Sequence, residues 1–139
     1  MALIKMIMNK REYIQANRDW LVAKSQEDGV KPLAKGICYK VLKKGRNYGV
    51  HPNPRSVIVA HYTGRTINGK KFDSSRGGAP LAMRLRDLIT GWVIAMQQMC
   101  IGDKWEVYIP SEMAYGNMSQ PGIPGGSTLI FEIELLGIH

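Results

Sequence analysis

The chain has little of what covalent or metal chemistry requires. Two cysteines in 139 residues, Cys38 and Cys100, are too few for a disulfide framework. Neither sits in a CxxC pair or at zinc-ligating spacing from a histidine, so both read as small buried hydrophobes and no metal site is expected. His51, His61 and His139 have no nucleophile at a suggestive spacing and read as surface or strand-face residues. GxSxG, HExxH, the Walker-type phosphate loop and a GxGxxG opening a helix are all missing. Phosphoryl transfer, zinc hydrolysis and hydride transfer thereby lose their usual anchors, and no cofactor is expected. The acids of the main body, Asp73, Asp87, Asp103, Glu106, Glu112, Glu132 and Glu134, are scattered rather than paired for acid–base work. No run of about 18 apolar residues exists, which excludes a transmembrane helix. The start, Met1–Lys10, interrupts its apolar residues with Lys5 and has no small-residue cleavage site. The expectation is a cytoplasmic protein, or a periplasmic one whose leader is lacking from this sequence.

What is present suits one globular domain with a short appendage: 45% hydrophobic residues, 22% charged, 15 Gly and 7 Pro. The formal charge of +8 is uneven. Residues 1–50 hold 11 Lys/Arg against 4 acids, a net +7, and residues 51–139 hold 8 against 7, a net +1. Lys40, Lys43, Lys44 and Arg46 are not accompanied by interleaved aromatics or a recognition-helix pattern. They read as a solvated basic face, and neither nucleic acid nor membrane is expected as a partner.

From Asn9 to Asp28 there is no Gly or Pro, and Tyr13, Ala16, Trp20 and Ala23 recur at helical spacing with Leu21 beside them. Asn9 with Glu12 three positions on forms a capping-box pattern, and Gly29 suits a C-cap, which predicts a helix over Asn9–Asp28. Val30–Gly36, with Pro32 and Gly36, reads as a connector. The division is therefore 1–35, a helical extension and connector, and 36–139, the main domain. In that domain Ile37–Lys43, Ser56–Thr66, Lys104–Pro110 and Thr128–Ile138 are β-branched or aromatic enough to be strands, and Lys71–Asp73 with Leu81–Leu85 add a bent fifth. One internal helix is predicted over Asp87–Met96, with Asp87 as N-cap and Leu88, Ile89, Trp92, Met96 and Met99 facing inward. Strands in runs with a single covering helix point to an α+β fold with an antiparallel sheet.

Five ordered blocks then carry a resemblance. Val59-Ala60-His61-Tyr62-Thr63-Gly64 is followed by Asn68-Gly69-Lys70-Lys71-Phe72-Asp73-Ser74-Ser75, by Gly91-Trp92, by Ile109-Pro110 with Ala114-Tyr115-Gly116, and by Thr128-Leu129-Ile130-Phe131 with Glu134-Leu135-Leu136. Over residues 36–139 the chain resembles the FKBP-type peptidyl-prolyl cis/trans isomerases. The upstream helix, Gly29-Val30-Lys31 and the Gly36–Gly45 stretch are similar to the bacterial macrophage infectivity potentiator-like subgroup. The resemblance implies a curled antiparallel sheet of five to six strands around one short helix, preceded by an N-terminal helix, and a bacterial source.

It also implies a pocket. Tyr62, Phe72, Asp73, Tyr115 and Phe131 would be its catalytic residues, and Met83, Leu88, Ile89, Trp92 and Ile123 its substrate-binding residues, with the Trp92 indole as floor. The Ile89 N–H and the Tyr115 hydroxyl would bind ligand carbonyls, while Asp73 would either orient Tyr62 or meet the amide carbonyl carbon. Three features depart from the family pattern: the loop after Arg76 is shortened, which on counting back from Gly91-Trp92 puts Met83 where a pocket aromatic is frequent; Gln120 stands where some members have His; and a residue is missing between Ile123 and Pro124. Without the resemblance, Phe72, Phe131, Ile123 and Trp92 would read as ordinary core, and Asp73 as an Asx-turn residue. A pocket with no nucleophile suits rotation about a prolyl amide, whose barrier of about 18–20 kcal/mol comes from partial double-bond character. Nothing covalent breaks, and an apolar box favours the twisted, less charge-separated amide.

The implied activity is isomerisation of X-Pro bonds, assisting folding, with proline-containing peptides and unfolded proteins as partners and tacrolimus- or rapamycin-type macrolides as further ligands. A module that binds proline-containing partners without turnover is the alternative. The N-terminal helix lies upstream of every pocket motif and reads as an appendage that does not build the site. Dimerisation in the subgroup goes with a longer N-terminal region; here only one helix and a short lead with Met1, Met6 and Met8 are present, so a monomer is favoured over a dimer.

Overall fold

The computed structural model describes residues 8–46 and 49–139; Met1 and Met6 of the lead fall outside them. Helix α1 spans Lys10–Ser25. The Asn9 side chain accepts from the Glu12 N–H at 2.8 Å and the Glu12 carboxylate accepts from the Asn9 N–H at 3.0 Å, so the capping box forms as the spacing predicts. The helix ends earlier than expected, with Gln26 as its cap. Gly29, at φ +84°, serves the turn into the sheet instead.

Seven antiparallel strands follow: β1 Val30–Pro32, β2 Cys38–Lys43, β3 Val57–Arg65, β4 Lys71–Ser74, β5 Leu81–Arg84, β6 Lys104–Ile109 and β7 Leu129–Ile138. Their order is β1-β2-β6-β7-β3-β4, with β5 also on β3. The seventh strand is β1, in the segment read as a connector. It is an edge strand, where the missing N–H of Pro32 costs no ladder bond. The two short pieces lie end to end along one edge of β3: β5 pairs with Val57–Ala60 and β4 with Thr63–Arg65.

Along β7, Leu129, Phe131, Ile133 and Leu135 are buried while Ile130, Glu132 and Glu134 are less so, the period of two expected of a strand with one covered face. The covering element is α2, Thr90–Met96, whose Trp92, Ala95 and Met96 join Met99 and the inward residues of β3, β6 and β7 in one core. The expected start at Asp87 is corrected. Leu85–Asp87 forms a separate 3-10 turn, and Ile89, in extended conformation with no side-chain cap, is the N-cap. Tyr108 on β6 points to the opposite face, where Trp20 of α1 meets it at 5.9 Å between ring centroids. Thus α1 packs on its own chain.

Candidate functional site

The alternation of β3 puts Ala60, Tyr62 and Gly64 on the face that α2 covers. Gly64 stands opposite Phe131 on β7 and opposite Asp73 on β4. An ideal Cβ there would lie 2.5 Å from Phe72 Cζ and 2.7 Å from Phe131 Cε1, so only glycine lets the two rings meet. They do so edge to face, 5.6 Å apart at 89°. These are the chain's two phenylalanines. Trp92 rises from α2 beneath them, 5.3 Å from Phe131 at 85° and 5.3 Å from Tyr62 at 80°. Such edge-to-face pairs add about 0.5–1.5 kcal/mol each beyond their burial. Trp92 is 3% exposed and Phe131 5%, forming a dry floor.

Above this floor opens a cavity of about 170 Å³ lined by Tyr62, Phe72, Asp73, Leu81, Met83, Leu88, Ile89, Trp92, Tyr115 and Phe131. Nine of the ten residues expected at the site therefore line one cavity. Ile123 does not. A tight backbone bridge with Gln120 holds it, and its side chain, 6% exposed, joins the core. Leu81 was missed, because in the sequence it is one more apolar residue at the head of a short strand. A larger space of about 460 Å³ lies between α1, β1 and Pro110, but it has no aromatic walls.

One side of the pocket is polar. The Tyr62 hydroxyl donates to Asp73 Oδ2 at 2.7 Å, and Asp73 Oδ1 accepts from the Ser74 N–H at 2.9 Å. Burial, then the Asp73 carboxylate, push the Tyr62 phenol up to about 12, so it stays protonated at neutral pH. Ser75 clamps the Tyr62 backbone: its N–H donates to the Tyr62 carbonyl and its Oγ accepts from the Tyr62 N–H, each at 2.9 Å. The Asp73-Ser74-Ser75 run in the sequence is the trace of this clamp.

At the rim, Met83 is 38% and Tyr115 37% exposed. The Ile89 N–H and the Tyr115 hydroxyl have no hydrogen-bond partner among the described residues, which leaves two donors for a ligand. No group of three metal-ligating side chains occurs among the described residues. Burial pushes the Cys38 thiol up to about 11, which makes it a poor nucleophile. The arrangement can desolvate a small ring and bind carbonyl oxygens at its edge.

A family model for FKBP-type peptidyl-prolyl cis-trans isomerase matches residues 49–136. Among curated relatives, the peptidyl-prolyl cis-trans isomerase Mip of Coxiella burnetii is 39% identical over 126 residues, 89% of this chain and 54% of the relative. FkpA of Escherichia coli is 40% identical over 115 residues, 82% of this chain and 42% of the relative. The chain thus spans about half the length of the curated relatives it matches. Among solved structures, a peptidyl-prolyl cis-trans isomerase from Pseudomonas syringae pv. tomato superposes with a TM-score of 0.86 at 34% identity, covering 96% of this chain and 98% of that one. The crystal structure of FkpA from Escherichia coli gives 0.84 at 36% identity, covering 92% of this chain and 60% of that one.

Proposed function

The chain belongs to the FKBP-type peptidyl-prolyl cis-trans isomerase family, and from that premise we propose that its Tyr62–Phe131 pocket accelerates rotation about X-Pro bonds in peptides and unfolded proteins. The observation that carries the reading is the aromatic floor of Trp92, Phe131 and Phe72, closed by edge-to-face contacts and set beside two donors without a partner among the described residues. A cavity of about 170 Å³ suits a single ring rather than a drug-sized ligand, which typically fills about 300–1,000 Å³.

The planar prolyl amide is polar and well hydrated. On entering the cavity it loses water, and twisting about C–N reduces its charge separation. The dry floor therefore costs the twisted amide less than the planar one, and the barrier falls by differential binding rather than by covalent chemistry. The Ile89 N–H and the Tyr115 hydroxyl hold substrate carbonyls, at about 0.5–1.5 kcal/mol for each hydrogen bond, with every 1.36 kcal/mol gained in the transition state worth tenfold in rate. Both Asp73 oxygens already accept hydrogen bonds, one from the Tyr62 hydroxyl and one from the Ser74 N–H, so of the two roles open to Asp73 we favour orienting Tyr62. Macrolides of the tacrolimus and rapamycin type would insert a ring here and rest the remainder on the rim of Met83, Leu88 and Ile89. The docking of Trp20 on Tyr108 of the same chain supports a monomer.

The test is a protease-coupled isomerisation assay on a Leu-Pro peptide. The cis-to-trans rate should rise linearly with protein concentration. Saturable binding with no rise in rate would leave a proline-binding module without turnover.

A further inference from the structure

Helix α1 lends no side chain to the pocket, yet it grips the segment that closes the Tyr115 loop. Three consecutive residues are held. At Gly126 an ideal Cβ would lie 2.3 Å from Ile14 Cγ1, so Ile14 packs directly on the backbone. At Ser127 the Oγ lies 2.7 Å from the Tyr13 hydroxyl. At Thr128 the N–H donates to Asn17 Oδ1 at 2.8 Å and the hydroxyl donates to the Asn17 carbonyl at 3.2 Å. Asn17 is the one buried residue of α1, 1% exposed, and its amide nitrogen donates to the Tyr13 carbonyl at 2.8 Å. Its side chain is thus engaged at both ends, a geometry that specifies one register between helix and loop.

The grip is transmitted across the loop. The Gly126 N–H donates to the Gly116 carbonyl at 2.8 Å, and the Gly116 N–H donates to the Ser111 carbonyl at 2.8 Å. Tyr115 is thereby fixed between the turn Ser111–Met113 and Gly116, whose other anchor is the strip held by α1. Tyr115 is 37% exposed; its carbonyl accepts from the Met118 N–H at 3.2 Å, and its hydroxyl has no hydrogen-bond partner among the described residues, so the backbone of this loop sets where the hydroxyl sits. A rim donor must hold its place closely, since displacements near 1 Å at a catalytic group can cost orders of magnitude in rate.

We propose that Asn17, a residue outside the pocket, is a positioning residue for the isomerase reaction, acting through Thr128, Gly126 and Gly116 to set the Tyr115 hydroxyl over the substrate. The inference rests on the function proposed above. It is tested with Asn17→Ala, Tyr115→Phe and the double variant, read by kcat/KM on a Leu-Pro tetrapeptide and by amide hydrogen exchange. Asn17→Ala should lower kcat/KM about fivefold in the parent, the fold-change of roughly one net hydrogen bond, and less than about twofold when Tyr115 is already Phe. The Gly126 amide should exchange about tenfold faster or more, while the β3–β7 ladder amides keep their protection. An equal loss of kcat/KM in both backgrounds, no loss in either, or acceleration of every amide alike would overturn the proposal and leave Asn17 a merely structural residue. Should Asn17→Ala fail to fold, Tyr13→Phe removes only the hydroxyl at Ser127, and a selective gain in Gly126 exchange with a smaller loss of kcat/KM, dependent on Tyr115, is expected. No change in either would overturn it. If the parent protein shows no turnover, the proposed function falls, and the exchange measurement still decides whether α1 holds the loop.

Discussion

The Tyr62 hydroxyl donates to Asp73 Oδ2 across 2.7 Å, joining β3 to β4 at the mouth of the aromatic pocket. Gly64, two residues along β3, pairs with Asp73 and leaves the space that Phe72 and Phe131 fill. The polar wall and the Phe72 edge of the apolar floor therefore share one local arrangement of β3 and β4, while β7 and α2 supply Phe131 and Trp92. Changing Asp73 to Leu removes the acceptor that orients the Tyr62 hydroxyl, and turnover should fall roughly 10- to 100-fold, about 1.4–2.7 kcal/mol of transition-state stabilisation. Asp73 is exposed, so stability should fall by no more than about 1 kcal/mol. Parallel kcat/KM and urea titrations check this; a cooperative loss of structure would make Asp73 architectural.

A second prediction concerns alkaline pH. The Tyr62 phenol is raised from an ordinary value of 10.0 to about 12, first by burial and then by Asp73. In this range the folded state holds a proton that the unfolded state has lost, so stability falls as pH rises. The Tyr62 contribution is complete below about pH 10 and is lost on passing through 12. Urea midpoints measured between those values should decline, less steeply in Tyr62→Phe, and ultraviolet titration should show one phenol moving to lower pH in Asp73→Asn.

Tyr115 gives a third. Its hydroxyl has no partner among the described residues, so Tyr115→Phe should leave the unfolding midpoint unchanged and weaken peptide or tacrolimus binding by about 1 kcal/mol, roughly fivefold. Trp92 fluorescence provides the readout, in a background with Trp20 and Trp105 changed to Phe. Equal affinity in parent and variant would remove Tyr115 from the site.

A fourth is steric. A methyl group at Gly64 would meet the Phe72 and Phe131 rings below 3 Å. Gly64→Ala should cost about 1–3 kcal/mol of stability and depress turnover more than an alanine at exposed Gly69, where an added Cβ meets nothing within 4 Å but the backbone φ is +85°. The comparison separates ring displacement from backbone strain.

The long elements were legible because their periodicity is long. Four strands fall within a residue or so of their expected limits, and the capping box of Asn9 and Glu12 marks the helix start. Short elements were not. Nothing in Val30-Lys31-Pro32 distinguishes an edge strand from a connector, since its pairing depends on β2 rather than on its own composition. Asp87 looked like a cap because Asp caps many helices, but a 3-10 turn consumes it and the helix begins after Ile89. At the site, six of the lining residues lie in the five motif blocks, and Met83, Leu88 and Ile89 lie outside them and follow only from the resemblance, whereas Leu81 lacked any distinguishing neighbour. Ile123, bridged to Gln120, lies in the core outside this cavity, next to the position where a residue is missing from the family pattern. Asn17 reads as an ordinary polar helix residue, and its burial depends on contacts 111 residues away.

The central claim is that this pocket turns prolyl bonds over rather than merely holding them. Two-dimensional exchange NMR on a Leu-Pro peptide with substoichiometric protein tests it without a protease. Uncatalysed isomerisation takes tens to hundreds of seconds, so a mixing time of about one second shows no cis–trans cross-peaks for the peptide alone. Cross-peaks that grow with added protein are the predicted result. Line broadening that reports binding, with no exchange between the cis and trans signals, would contradict the account.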